Sequence, residues 1–262
     1  MGSVQLRELT DYLDDYLRVR EVADKSLNGL QVEGAPTVTR VALATDAALQ
    51  TFEQARGGAA QLLIVHHGLY WGERPVPLVG TLRRRIAALI EADLALYCAH
   101  LPLDAHPEVG NNAVLARRLG LGALRPFGPS CAAPGSEAAG LEIGIGGDLP
   151  GAVAPEELRV RCEARLGSAV RLLAFGHDAV RSLAIVSGAG ADLAGRAAAE
   201  GYDAFLTGET SHVSYHPARE AGVHLLFGGH YATETWGVQA LGDHIAERWG
   251  LEVFFCDAPT GF

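Results

Sequence analysis

The stretch that decides the fold is Val223-His224-Leu225-Leu226-Phe227-Gly228-Gly229-His230-Tyr231-Ala232-Thr233-Glu234. Residues 223–227 form a short apolar run of strand length, and a helical pattern of apolar residues comes after Glu234. The two glycines therefore mark a strand-to-helix turn at which the backbone can approach another group closely. His230 and Glu234 lie four residues apart, so within a helix they project from one face. The pattern predicts half of a metal site at the end of a strand.

Length and charge bound the classes of protein to consider. The 262 residues are 48% hydrophobic and carry a formal net charge of −10, which is enough chain for one large core or two smaller ones. The local cluster Arg83-Arg84-Arg85 is too short to track a phosphate backbone, so the acidic balance argues against nucleic acid as a partner. We expect no signal peptide in residues 1–17 and no membrane-spanning helix.

Four cysteines are scattered along the chain without a C-x-x-C pair: Cys98, Cys131, Cys162 and Cys256. This spacing does not match zinc-finger or thioredoxin patterns. In a chain of this size it indicates reduced, mostly buried thiols, and we expect a cytoplasmic protein.

Strand and helix patterns alternate along the chain, which predicts an α/β architecture. The order strand, helix, strand, helix, strand runs from Val41 to His100 and recurs from Ser182 to His230. Residues 128–140 are rich in Gly, Pro, Ser and Ala and are predicted to be a linker or exposed loop. We therefore predict two halves of similar element order, 1–127 and 128–262, and the last helix and the strand 251–256 can belong to either half.

Two more turns after apolar strands carry imidazole or carboxylate groups. His66 and His67 follow a buried strand directly, and His100 and Asp104 follow the next strand. Pro102 lies between the latter two and favours a loop over a helix interior. Because open α/β sheets build their sites at the carboxyl ends of strands, these groups are candidate ligands. Taken singly, each has a structural alternative, such as a surface-loop histidine, a core histidine bonded to a carbonyl, or an acid that caps a helix.

Taken together, the ligand types indicate the class of metal. Imidazole nitrogens mixed with carboxylate oxygens suit zinc, manganese, iron or nickel. Even five of these six candidate groups exceed what one catalytic ion usually takes from a protein, and five ligands suit two ions about 3.5–4 Å apart with a bridging carboxylate. The sequence thus predicts two divalent metal ions per chain.

Four motifs lie along nearly the whole chain: Val65-His66-His67-Gly68, Ala99-His100-Leu101-Pro102-Leu103-Asp104-Ala105 with Gly110-Asn111-Asn112, Thr207-Gly208-Glu209 with His212, and Gly229-His230-Tyr231-Ala232-Thr233-Glu234. Together they resemble the GTP cyclohydrolase I type 2 homologue family, also called Nif-three-like, in its short bacterial form. Asn111 or Asn112 is also a candidate cap for the helix that ends near Gly120.

The resemblance implies a Nif-three-like fold of two intertwined α/β halves with mixed sheets, a dinuclear metal centre, and a toroidal homohexamer built as a trimer of dimers. It implies that His67 and Asp104 ligate one metal ion, that His66 and His230 ligate the other, and that Glu234 bridges them.

The resemblance also nominates catalytic residues. His100 matches a family histidine close to the metal centre, and Glu209 and His212 are the best remaining acid, base or substrate contacts. The alternatives for Glu209 and His212 are a turn acid and a solvated loop histidine.

The function implied by the resemblance is metal-dependent hydrolysis of a small, possibly nucleotide, substrate. The candidate reaction opens the imidazole ring of GTP with water and yields formate and dihydroneopterin triphosphate. An alternative of another class is a non-catalytic metal-binding, metal-handling or regulatory scaffold protein, which would hold metal without turnover.

Overall fold

The computed structural model describes residues 2–72, 74–136 and 141–262. The strands are β1 (Val4–Gln5), β2 (Gly29–Val32), β3 (Thr37–Val38), β4 (Arg40–Asp46), β5 (Leu62–His67), β6 (Ala95–Cys98), β7 (Gly122–Ser130), β8 (Glu142–Val153), β9 (Arg171–Leu173), β10 (Val180–Val186), β11 (Ala204–Thr207), β12 (His224–Phe227) and β13 (Glu252–Phe255). The helices are α1 (Leu6–Tyr16), α2 (Leu49–Gly57), α3 (Gly80–Glu91), α4 (Leu101–Asp104), α5 (Asn111–Arg118), α6 (Pro155–Leu166), α7 (Ala194–Ala199), α8 (Tyr215–Ala221) and α9 (His230–Trp249), with 3₁₀ turns at Val19–Glu21, Ala191–Leu193 and His212–Ser214. None of the described helices is both long and apolar enough to cross a bilayer.

The chain divides into two compact units, and each is assembled from separate stretches of sequence. The first unit comprises Met1–Leu103, Ala132–Ala138 and Gly237–Ala258, and the second comprises Asp104–Cys131, Ala139–Trp236 and Pro259–Phe262. The units therefore differ from the predicted halves 1–127 and 128–262. The physical reason is strand pairing, because β7 pairs with β8 in the second unit and β13 pairs with β4 in the first.

The first unit is built on a five-stranded sheet in the order β13-β4-β5-β6-β2. The first four strands are parallel and β2 is antiparallel to β6, so the sheet is mixed. The sequence left the partner of the final strand open, and the structure adds it to β4. Leu63, Val65 and Leu96 are fully buried in one apolar cluster of this unit, and full burial of such a side chain stabilises a fold by about 1.5–3 kcal/mol.

The second unit is built on a six-stranded sheet in the order β7-β8-β10-β11-β12-β9. Only β10, β11 and β12 run parallel; the outer strands are antiparallel, so this sheet is also mixed. Two separate apolar clusters include residues of its strands, one with Leu158 and Cys162 of α6, the other with Ala197 of α7 and Ala218 of α8. The predicted α/β class with mixed sheets is confirmed, and each unit contains three parallel strands in the repeated order.

Two local predictions were wrong. The segment with His100 and Asp104 was predicted to be a loop, but residues 101–104 form the single helical turn α4. Pro102 is tolerated there because N–H groups in the first turn of a helix have no partner within the helix. Helix α5 has Gly110 as its N-cap, without a side-chain cap, so neither Asn111 nor Asn112 caps it.

The predicted linker 128–140 is partly strand. Its first three residues complete β7, and Ser130 pairs with Glu142 of β8. The Cys131 N–H then donates to the Leu141 carbonyl at 2.7 Å, so the ladder outweighs the turn-forming composition of this segment. Residues 137–140 lie outside the described residues.

Candidate functional site

The first unit brings three predicted residues together in a histidine cluster of His66, His67 and His100. Strands β5 and β6 are parallel, and Val65 lies opposite Cys98. The residues that follow Val65 and Cys98 therefore lie near one another at the carboxyl ends of these strands. The ring centroids are 4.8 Å apart for His66 and His67 and 5.0 Å apart for His66 and His100. One nitrogen from each ring lies within 4.8 Å of the others, which suits a metal ion.

His66 and His67 each use Nδ1 to bond an oxygen atom. His66 Nδ1 is 2.9 Å from the Ala99 carbonyl, and His67 Nδ1 is 2.8 Å from Asp46 Oδ1. The parallel register of β4 and β5 sets Asp46 directly opposite His67. An imidazole that donates Nδ1–H carries its lone pair on Nε2, and metal-ligating histidines are usually held in this way. The cluster therefore fits a divalent metal.

His100 is held by a buried aspartate that sequence patterns did not single out. The side chain of Asp24 is 3% exposed, and both of its carboxylate oxygens lie 3.0 Å from His100 Nδ1. It also accepts bonds from Ser26 N, Asn28 Nδ2 and Leu101 N. Burial raises the pKa of the Asp24 carboxyl, but the bonds and the charge of His100, with those from Asn28 and Ser26, outweigh it and lower the pKa to about 2. Asp24 is thus an anion that fixes the orientation of His100.

Gly68 follows the two histidines at the end of β5. Both histidines before it belong to β5, whereas we expected the strand to end before them. A Cβ at Gly68 would lie 2.3 Å from Gln31 Nε2 and 2.8 Å from Cys98 Sγ. The residue is small because the neighbouring chain approaches closely, and no special backbone angle is required.

The second unit holds a carboxylate cluster of Asp104, His230 and Glu234. Helix α9 begins at His230, after Gly229 at φ +91°, a backbone angle that favours glycine. His230 Nε2 is 2.9 Å from Glu234 Oε2, and His230 Nδ1 is 2.6 Å from Glu209 Oε1. A neutral imidazole has only one N–H for these two carboxylates, so the geometry fits an imidazolium, a protonated carboxyl group, or a cation that both His230 and Glu234 bind.

Asp104 adds a second buried carboxylate to the cluster. It is 8% exposed and Glu234 is 3% exposed, and an oxygen of each lies within 4.8 Å of the other. Asp104 Oδ1 accepts bonds from Asn111 Nδ2 at 2.9 Å and from Ser187 Oγ at 3.1 Å. Two buried carboxylates this close are unfavourable together unless a proton or a cation compensates. The oxygens therefore also fit a divalent metal.

Gly188 makes room for this cluster and was missed at the sequence level. It has φ +62°, and an added Cβ would lie 2.1 Å from Glu234 Oε1 and 3.2 Å from His230 Nε2. Its N–H donates to Thr233 Oγ1 at 3.0 Å. Only glycine fits both the left-handed angle and the space.

The three predicted catalytic residues lie in different surroundings. His100 belongs to the histidine cluster, and Glu209 bonds His230. His212 begins a 3₁₀ turn and is exposed, and it belongs to none of the metal-ligand groups found among the described residues. Sequence patterns did not predict the two aspartates that hold histidines of the histidine cluster. Asp46 comes after an apolar run, as the candidate ligands do, so that signal could have found it. No such signal marks Asp24.

The chain is similar to proteins of one family over its whole length. The model of the Duf34/NIF3 (NGG1p interacting factor 3) family matches residues 4–260. A Deinococcus radiodurans protein named GTP cyclohydrolase 1 type 2 homolog is 41% identical over 260 residues, covering 99% of this chain and 95% of the relative. The Archaeoglobus fulgidus protein of the same name is 42% identical over 257 residues, covering 98% and 99%.

Solved structures agree with this similarity. A crystal structure of a protein from Thermus thermophilus has a TM-score of 0.88 at 40% identity, covering 99% of this chain and 100% of its own. A structural-genomics protein named ybgI, described as of unknown function, has a TM-score of 0.90 at 36% identity, with the same coverage.

Proposed function

This chain belongs to the Duf34/NIF3 family, and from that membership we propose that it is a metal-dependent hydrolase with a dinuclear centre. The observation that carries the proposal is that the candidate ligand groups are oriented and placed as metal ligands are. In the first unit, oxygen atoms hold Nδ1 of His66, His67 and His100. In the second unit, the buried carboxylates of Asp104 and Glu234 lie close enough to repel one another, and a bound cation would relieve that repulsion.

The ligand assignment follows the family resemblance. By that resemblance, His67 and Asp104 would hold one ion, His66 and His230 would hold the other, and Glu234 would contribute to both. The donor set suits zinc, manganese, iron or nickel. The donor atoms of each cluster fit a metal ion, which supports this assignment. The number of metal ions bound per chain tests whether the two clusters contribute to one dinuclear centre.

The chemistry divides between the metals and the side chains. When bound, two divalent ions activate water at neutral pH and polarise the bond under attack. Asp24 holds the Nδ1–H of His100, so Nε2 of His100 is the atom that takes or gives a proton during the reaction. Glu209 holds the Nδ1–H of His230 and keeps that ring oriented toward Glu234.

GTP is the proposed substrate because the relatives bear the name GTP cyclohydrolase 1 type 2 homolog. In the proposed reaction, two waters are consumed as the imidazole ring of GTP opens and its carbon is released, and one water is returned when the remainder closes, so the net consumption is one water. The carbon between the two ring nitrogens leaves as formate, and the remainder closes to dihydroneopterin triphosphate.

Metal content is the first test. We expect about two metal ions per chain after loading with zinc, manganese, iron or nickel, and we expect His67→Ala to lose metal. His177→Ala is the matched control, because His177 is exposed and outside both clusters. A wild-type protein that takes up none of the four metals would overturn the proposal.

Turnover is the second test. Metal-loaded protein incubated with GTP is expected to release formate and a fluorescent pterin product, and the His67→Ala variant is expected to release neither. Full metal loading without any product from GTP or from other phosphate and amide substrates would favour the metal-handling alternative.

A further inference from the structure

Two adjoining cavities lie in the second unit beside Glu209. The larger has a volume of about 580 Å³ and the smaller a volume of about 260 Å³. Arg171, Thr210 and Phe227 line both, so the cavities share one wall. A single ligand can therefore extend from one into the other.

The smaller cavity presents hydrogen-bond donors and no carboxylate. Its polar side chains are those of Arg171, Thr210, Ser211, His212 and Tyr215, and the rest of its lining is Leu173 and Phe227. Within residues 2–72, 74–136 and 141–262, none of these five side chains has a hydrogen-bond or ion-pair partner. In a chain with a net charge of −10, a cavity with an arginine and only neutral or basic polar neighbours is suited to an anion.

Pairing of the edge strand positions the arginine. Arg171 begins β9 and lies opposite Phe227, the last residue of β12. The chain continues from Phe227 through two glycines to His230. A guanidinium binds phosphate oxygens through two parallel N–H bonds, so Arg171 is the strongest donor that this cavity offers.

The larger cavity has the opposite character. Apart from Arg171, Glu209 and Thr210, its side chains are apolar, and they include the rings of Phe227 and Phe262. Glu209 reaches the candidate metal ligand His230 at 2.6 Å. Aromatic walls suit a planar heterocycle, and the Glu209 carboxylate repels phosphate from this cavity.

We propose that the smaller cavity binds the phosphate tail of the substrate through Arg171 and His212, and that the larger cavity holds the heterocycle beside Glu209. The proposal rests on the proposed hydrolase function and states where that site would hold the phosphates and the heterocycle of its substrate. It also gives His212 a role away from the metals, as a residue that binds the tail.

The test compares GTP with guanosine on metal-loaded protein by isothermal titration calorimetry. Arg171→Ala is expected to weaken GTP binding about ten- to a hundredfold, as for loss of a charged hydrogen bond, to weaken guanosine binding much less, and to leave metal content unchanged. His212→Ala is expected to weaken GTP binding in the same direction. Arg165→Ala is the matched control, since Arg165 is an exposed arginine of α6 outside both cavities.

Three results would overturn the tail site: equal affinity of the wild type for GTP and guanosine, unchanged GTP affinity in Arg171→Ala, or an equal loss in Arg165→Ala. Formate release and metal content test the hydrolase proposal, and they are measured separately from GTP binding. Binding of GTP that depends on Arg171 but is not followed by turnover would keep the tail site and contradict the hydrolase. Turnover with GTP affinity independent of Arg171 would do the reverse.

Discussion

At the scale of single residues, the ligand groups depend on the oxygen atoms that surround them. Asp46 and Asp24 bond Nδ1 of His67 and His100, and each bond leaves the lone pair of a neutral ring on Nε2. An imidazole without such a partner could turn or change tautomer. The aspartates therefore matter as much for the chemistry of the cluster as the histidines that carry it.

Gly188→Ala tests the fit of the carboxylate cluster. The new Cβ would lie 2.1 Å from Glu234 Oε1 at a φ of +62°, and the left-handed angle alone costs about 1–2 kcal/mol. We expect a lower melting temperature together with loss of bound metal, because Glu234 must move. Both are measured on one preparation, by thermal unfolding and elemental analysis.

Gly195→Ala is the matched control for this substitution. Gly195 lies in α7, and an added Cβ meets nothing within 4 Å. Alanine in a helix interior is favoured over glycine by about 0.5–1 kcal/mol, so this variant should be slightly more stable and keep its metal. Full metal content in Gly188→Ala would contradict the role assigned to Gly188.

At the scale of elements, local signals were sufficient where they agreed with packing. Helix α6 begins at Pro155 and ends at Leu166, because proline suits the first turn and Gly167 follows in the left-handed region at φ +68°. The turn α4 shows the opposite case. Pro102 argued against helix there, yet the Leu103 N–H bonds the His100 carbonyl at 2.9 Å.

The buried thiols report on the integrity of these elements. Burial raises the pKa of Cys98 in β6 and of Cys162 in α6 to about 12, and that of Cys256 after β13 to about 11. The reactive thiolate is therefore scarce at neutral pH. We expect the native protein to resist a thiol reagent such as Ellman's reagent, and all four cysteines to react in guanidinium chloride.

The pH dependence of thiol modification in the folded protein is the control for this prediction. Because the pKa values are raised, increasing the pH from 7 to 9 should produce little reaction in the folded protein. Rapid modification of Cys98 or Cys162 at pH 7 would show that β6 or α6 opens easily.

At the scale of the whole molecule, the oligomeric state can be predicted and tested. The family resemblance implies a homohexamer, and large apolar side chains are exposed in the first unit between residues 71 and 90, with Val79 at 67% and Ile90 at 64%. Exposed apolar groups of this kind mark protein interfaces when they cluster. We expect light scattering to give six times the 27.6 kDa mass of one chain.

A charged substitution tests which surface is responsible. Ile90→Glu is expected to reduce the mass of the assembly measured by light scattering, because a charge is costly to bury in an interface. Val160→Glu on α6, where valine is 50% exposed, is the control and should leave the mass unchanged. A wild-type mass of one chain would contradict the hexamer.

The order of amino acids alone was enough to predict the alternation of strands and helices, the repeated element order, and the candidate ligands at strand ends. These features are local, since they depend on periodicity and on the residue types at the end of each apolar run. Strand pairing decided the rest. The register of β4 and β5 places Asp46 opposite His67, and the addition of β13 to β4 assigns the end of the chain to the first unit. Asp24 and Gly188 acquire their roles from groups 76 and 46 positions away along the chain, and no local pattern encodes contacts at that separation.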